Sequence, residues 1–356
     1  MNPALHLRQL GQGLWLDNIT RGLLTSGTLK KYIDEYEISG LTSNPSIFEA
    51  AIQGADFYDE AIRTKSAAGG KGEPLFLELA LEDLQQAADL FLPMHEASHG
   101  IDGWVSMEVS PLLVHDAEGT LREARTLHER LQRPNAFIKI PGTAEGVKAI
   151  EEAIFAGIPV NVTLLFSREQ YLAAAEAYLR GIERRIDAGL DPKVASVASL
   201  FVSRWDAGVK DKVPEALKNK LGIAVARQTY AAYRELLASQ RWRKLAEAGA
   251  LAQRLLWAST GTKDPAASDI LYVESLTAPN TINTVPEKTL LAFVDHGVVN
   301  GSMPPEGGDA EKVLKQFADA GIDVDALAAQ LQTEGAESFS KSWKKLMHVI
   351  EEKSKV

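Results

Sequence analysis

The chain has 356 residues, 45% hydrophobic and 24% charged, with a formal net charge of -10 and no cysteine. That length and apolar content allow one large domain or two smaller ones with an ample core. The acidic balance argues against a general nucleic-acid or anionic-membrane surface, and the lack of cysteine removes disulfides, thiolate catalysis and cysteine zinc sites. At the N-terminus, MNPALHLRQLGQG lacks the basic-then-apolar pattern of a secretion signal, and no later apolar run is long enough to span a bilayer. The default expectation is a soluble, cytoplasmic protein.

Short apolar strands then alternate with longer helical segments. The pattern predicts strands at 13–17, 40–43, 103–109, 136–140, 159–165, 194–199, 255–259 and 270–276. Between them, LFLELALEDLQQAADLF and EQYLAAAEAYLRGIERRID have helical periodicity. Helix starts are read from capping boxes, Thr120 with Glu123, Ser167 with Gln170 and Thr284 with Glu287, and from Asn44 as N-cap before Pro45. SAAGGKGEP (66–74) reads as a surface loop and GSMPPEGGD (301–309) as a connector. Eight strand–helix units point to an α/β fold, a (β/α)8 TIM barrel with extra C-terminal helices. No GxGxxG follows the first strand, which disfavours a doubly wound sheet. The barrel is expected over 1–300. A helical extension packed on it is expected over 301–356, resuming at Ala310 with breaks near Gly321 and Gly335.

In such a barrel, chemistry sits at the C-terminal strand ends. WLDN supplies Asp17 there, LTSNP supplies Asn44, VSMEV Glu108, NVTLLF Asn161 and Thr163, and VASLFVSR Ser199 and Arg204. FIKIPGT places Lys139 inside an apolar strand, on the face it shares with Phe137. A buried ammonium is unfavourable unless paired or neutral. Lys139 is therefore either an edge-strand lysine reaching to water or a neutral amine ready to attack a carbonyl. Singly, Asn44 also reads as a cap, Thr163 as a strand former, Asp17 as a helix N-terminal charge, and Arg204 as the partner of Asp206 or Glu215. Chance does not readily place two carboxylates, two amides, a lysine and a hydroxyl at successive strand ends. HEASH (95–99) matches the HExxH zinc pattern, but Pro93 before it and Gly100, Asp102 and Gly103 after it leave barely one helical turn.

GLTSNPSIF, FIKIPGT and NVTLLFS together resemble the transaldolases, class I Schiff-base aldolases of the pentose phosphate pathway. The likeness runs from LWLDN to about LYVESL. The resemblance implies a (β/α)8 barrel with its lysine on the fourth strand. It also implies transfer of a dihydroxyacetone unit from fructose 6-phosphate or sedoheptulose 7-phosphate to an aldose phosphate, without cofactor or metal. It makes Lys139 the Schiff-base lysine and Asp17 the acid/base at the hydroxyl next to the breaking bond. Glu108 and Thr163 would hold a proton-shuttling water, Asn44 and Asn161 would bind substrate hydroxyls, and Ser199 and Arg204 would bind phosphate. Where many relatives carry ASFRN after the seventh strand, this chain reads ASTGTKD, which makes Lys263 the candidate for the missing arginine. A nearby anion favours an ammonium over an amine, so Glu108 is expected to contact water and Thr163, not Lys139. Sugar phosphates are the expected partners, with a monomer or homodimer. The alternatives are a fructose 6-phosphate aldolase, a non-catalytic sugar-phosphate-binding barrel and a zinc peptidase; Phe201 and Glu108 favour the transferase.

Overall fold

Runs such as AFIKIP and VNVTLL are buried along their whole length, the signature of parallel strands covered on both faces. In the computed structural model, which describes residues 2–355, eight such strands form: β1 (Gln12–Leu16), β2 (Ile38–Leu41), β3 (Val105–Glu108), β4 (Ala136–Pro141), β5 (Val160–Leu165), β6 (Ser196–Phe201), β7 (Arg254–Ala258) and β8 (Thr281–Val285). All pairings are parallel, in the order β2-β1-β8-β7-β6-β5-β4-β3. A bridge between Gly40 and Trp104 closes the ring between β2 and β3. Only glycine fits that seam, because a Cβ on Gly40 would lie 2.6 Å from the Trp15 ring and 2.7 Å from the Trp104 carbonyl. The result is a (β/α)8 barrel with extra C-terminal helices. No helix among the described residues is long and apolar enough to cross a membrane.

Alternation along the strands layers the interior. Trp15, Phe137, Val197, Leu256 and Ile282 form an apolar layer, with Trp104 stacked on Phe137 at a centroid distance of 4.0 Å. Two residues further along the same strands stand Asp17, Lys139 and Ser199. The interior is thus apolar at this layer and polar at the next one above.

The structure differs from the sequence pattern in five places. Residues 270–276, predicted as the eighth strand, include the short helix Leu271–Ser275, and the strand follows it at Thr281–Val285. That strand is half polar because neighbours satisfy its side chains: Gln12 donates to Thr281, Thr260 to Asn283, and Thr42 and Thr284 share a hydrogen bond. Thr284 is therefore no cap, and the next helix begins after Pro286. Thr120 is no cap either. Asp116 caps Ala117–Leu131, Thr120 bonds the Leu113 carbonyl, and Glu123 accepts from the Ser110 amide. Ser167 and Asn44 do cap their helices, accepting from Gln170 and Ile47. The 66–74 loop narrows, because Asp59–Ala67 and Gly72–Ala97 are helical.

The fifth difference lies in the extension. Helix Ala310–Asp319 ends before Gly321, as expected, but Val324–Lys353 runs through Gly335 unbroken. Tertiary packing overrides glycine's weak helix propensity here. This last helix is stapled to the segment after β2. Ser342 bonds Ser46 (2.7 Å), Lys345 pairs with Glu49 (2.6 Å), and Lys353 bonds the Ala55 carbonyl (2.9 Å).

Candidate functional site

Each strand of the barrel delivers its last inward side chain to one mouth, and β4 delivers Lys139. It is only 5% exposed and lies on a strand paired on both sides, so it is not an edge lysine reaching to water. Its Nζ donates to the Ser43 carbonyl at 3.0 Å and lies 3.3 Å from Glu108 Oε2. The expectation that Glu108 would avoid Lys139 is thus corrected. The parallel register sets Glu108 directly beside Lys139, so the two side chains share a face and a height.

Glu108 is 7% exposed, and burial pushes its carboxyl upward, against the pull of Lys139. Its Oε2 makes the charge contact to Lys139 without the angle of a hydrogen bond. Thr163 Oγ1, fully buried on β5, also has no hydrogen-bond partner among the described residues. Both oxygens are available to a water or a substrate group, which buried polar atoms require.

Asp17, just past β1, opens onto the mouth while protein surrounds it. Burial raises its carboxyl, opposed by Lys139, by a 2.7 Å hydrogen bond from Thr42, and by the more distant Lys263 and Arg204. Asn44 uses Oδ1 as the helix cap and faces the cavity. Asn161 links three strands: its Nδ2 donates to Ser106 Oγ (3.1 Å), and its Oδ1 accepts from Ser199 Oγ (2.7 Å). Ser199 therefore spends its proton on Asn161 in this state.

Arg204 follows β6 in the helix Ser203–Val209. It makes no ion pair among the described residues. Asp206 instead binds the Leu221 and Gly222 amides and the Tyr272 hydroxyl, and Glu215 pairs with Lys218. The guanidinium stands over two rings, Phe201 at 5.2 Å and Phe339 at 5.8 Å. Burial lowers its pKa, opposed by Glu334, Asp17 and Glu108. Lys263 is exposed at the rim of the same cavity.

Asp17, Asn44, Lys139, Ser199, Arg204 and Lys263 thus line one cavity of about 110 Å³. Asn161, Glu108 and Thr163 are buried on the strands beside it. A larger cavity of about 410 Å³ lies at the other mouth, lined by Trp104, Tyr233, Trp242 and Arg254. The interacting charged groups converge in the smaller one, which makes it the candidate site. The HEASH histidines do not converge. The helix ends at Ala97, His99 has a left-handed φ of 54°, and the His95 ring contacts the Asp102 carbonyl.

Sequence reasoning missed the contribution of the last helix. Phe339 closes the cavity on one side, with its ring centroid 5.9 Å from Lys139 Nζ. Gln332 donates to the carbonyls of Gly142, just past β4, and of Leu164, near the end of β5. The available signal was Gly335 inside an otherwise helical pattern, which marks close packing as often as a break.

The arrangement suits carbonyl chemistry at an amine. It offers a buried lysine, a carboxylate touching it, a second carboxylate across the cavity, and cations at the rim. The family model described as "Transaldolase/Fructose-6-phosphate aldolase" matches residues 14–350, so the likeness runs past LYVESL into the last helix. The chain is 45% identical to a transaldolase of Arthrobacter sp. (strain FB24), over 98% of this chain and 96% of that protein. It is 43% identical to a transaldolase of Saccharopolyspora erythraea (97% and 96% covered) and 41% identical to a transaldolase 2 of Nostoc punctiforme (100% and 98%).

Proposed function

The chain belongs to the transaldolase/fructose-6-phosphate aldolase family, and on that premise we propose that it moves a dihydroxyacetone unit between sugar phosphates through a Schiff base on Lys139. The reaction is sedoheptulose 7-phosphate plus glyceraldehyde 3-phosphate to erythrose 4-phosphate plus fructose 6-phosphate. Relatives matching nearly the whole chain are named transaldolases, which favours transfer over release of free dihydroxyacetone.

Lys139 passes a proton to Glu108, which burial makes a better acceptor, and attacks the ketose carbonyl as an amine aimed by the Ser43 carbonyl. Glu108 touches Nζ and is the group to move protons as carbinolamine gives imine. Its raised pKa lets it give a proton as well as take one. Thr163 supplies the partner for the water between them. The protonated imine draws electrons from the bond between C3 and C4, and Asp17 takes the proton from the C4 hydroxyl. Thr42 fixes the orientation of Asp17. Asn44 and Asn161 bind hydroxyls of the retained three-carbon unit, and Ser199 orients Asn161. Arg204, with Lys263 at the rim, holds the phosphate, a contact the protein's net negative charge cannot provide at long range. The last helix, Val324–Lys353, joins the barrel in this work, because its Phe339 belongs to the same wall.

The observation that carries this reading is the 3.3 Å contact between a buried lysine and a buried carboxylate at neighbouring strand ends. The test is borohydride reduction with fructose 6-phosphate, followed by peptide mapping. The adduct is expected on Lys139 and is expected to vanish in Lys139→Arg. An adduct on another lysine overturns the assignment.

A further inference from the structure

We propose that Phe339 determines reaction specificity: it shields the Lys139 intermediate from water, so that the three-carbon unit passes to an acceptor aldehyde instead of leaving as free dihydroxyacetone. This rests on the Schiff-base reading above.

The ring sits between the two charges that bracket the substrate, 5.9 Å from Lys139 Nζ and 5.8 Å from Arg204 Cζ. It is 4% exposed and packs with Leu164, Phe166 and Phe201 in the apolar cluster around the mouth. The backbone below it is drawn in tightly. A Cβ on Gly335 would lie 2.9 Å from Leu164 Cδ2 and 3.2 Å from Arg204 Nη1. Gln332, about one turn before Gly335, grips the carbonyls of Gly142 and Leu164 at 3.1 and 2.9 Å. The helix is therefore seated on the strand ends, and Phe339 is the side chain it lays over the lysine.

After the bond between C3 and C4 breaks, the aldose phosphate departs and the three-carbon unit stays on Lys139 as an enamine. Two fates compete at its nucleophilic carbon. Attack on an acceptor aldehyde forms the new carbon–carbon bond, and hydrolysis of the resulting imine releases the new ketose phosphate. Alternatively, that carbon takes a proton delivered by water. A water molecule then adds to the iminium carbon, the lysine amine leaves, and dihydroxyacetone is released. That water replaces the one lost when the imine formed, so the net reaction is cleavage of the ketose phosphate into dihydroxyacetone and an aldose phosphate. Only the second fate needs water at the enamine carbon. An apolar ring over the lysine lowers the local supply of water.

The test measures free dihydroxyacetone released from fructose 6-phosphate, against transfer to erythrose 4-phosphate, in the wild type, Phe339→Ala and Phe339→Leu. Phe339→Ala should raise the ratio of release to transfer by about tenfold or more. Phe339→Leu, which keeps an apolar side chain in the wall, should raise it by only about threefold and carries the test if Phe339→Ala does not fold. Gly335→Ala, which pushes the helix off Leu164 and Arg204, should move the ratio the same way with Phe339 still present. Equal losses of release and transfer in the folded variants would reduce Phe339 to a structural residue and overturn the inference, as would an unchanged ratio. Borohydride trapping separates the two levels: wild-type protein that fails to trap on Lys139 sinks the Schiff-base reading itself, whereas intact trapping with an unmoved ratio sinks this inference alone.

Discussion

The two mouths of the barrel are made from the same strands and differ in how charge is matched. At the lower mouth, Arg254 pairs with Asp102 (3.0 Å) and donates to the Ile101 and Thr281 carbonyls, so its charge is met within the protein. At the upper mouth, Lys139, Glu108, Asp17 and Arg204 stand together, and Arg204 has no ion-pair partner among the described residues. The lower cavity is the larger, about 410 Å³ against about 110 Å³. Of these two cavities, the one with converging charge is the smaller. Matched charge stabilises a fold, whereas charge held in burial with unmet valences is available for work on a ligand.

The largest effect should come from Asp17→Asn, which removes the base across from the lysine. It should lower kcat by about 10²- to 10⁴-fold while leaving the borohydride-trapped adduct on Lys139 detectable. Loss of the adduct from the folded variant would mean that Asp17 acts earlier than proposed. Next is Arg204→Ala, expected to lower kcat/KM for fructose 6-phosphate by roughly ten- to 150-fold and for fructose hardly at all. Lys263→Ala should discriminate in the same direction, but more weakly. Equal losses on both sugars would assign Arg204 to the fold.

At the lower mouth the expectation reverses. Arg254→Met leaves Asp102 unpaired and should lower unfolding free energy by about 1–3 kcal/mol in urea titration, with kcat/KM unchanged. A kinetic defect there would erase the contrast between the mouths. The smallest effect concerns pH. Glu123, whose Oε1 accepts from Ser110 in the segment after β3, is pushed up to about 7, chiefly by burial. A carboxyl raised by folding keeps its proton longer in the native state, so its contribution to stability is full below the unfolded value and is lost as pH rises to about 7. Glu123→Gln should flatten that fall, gaining about 1–2 kcal/mol over wild type near pH 8 after allowance for its partial exposure. A wild-type slope unchanged by the substitution would place the pH dependence elsewhere, with Asp206 the next group to test.

Much of this was legible in the sequence because a parallel barrel prints itself as buried runs, and strand parity points the polar ends inward. That sufficed for β1 to β7 and for the residues around Lys139. It failed at β8, where TINTV is polar yet buried, its side chains bonded to Gln12, Thr42 and Thr260. It also failed for the Lys139–Glu108 contact, because the register between parallel strands belongs to the assembled sheet and not to either segment. Gly335 misled for a related reason. Its local propensity says break, while its use is close approach to Leu164 and Arg204. Nothing near Phe339 in the sequence reports a lysine two hundred positions upstream.

The staples of the last helix have a consequence for the order in which the protein is made. Ser46 and Ser342, or Ala55 and Lys353, are separated by almost 300 positions. During synthesis every barrel strand has left the ribosome before Val324–Lys353 exists to grip the segment after β2. A nascent chain can therefore close its ring and gather Lys139, Glu108 and Asp17 while the wall carrying Phe339 is still missing. The strands that carry the reactive groups are thus made before the helix that carries Phe339.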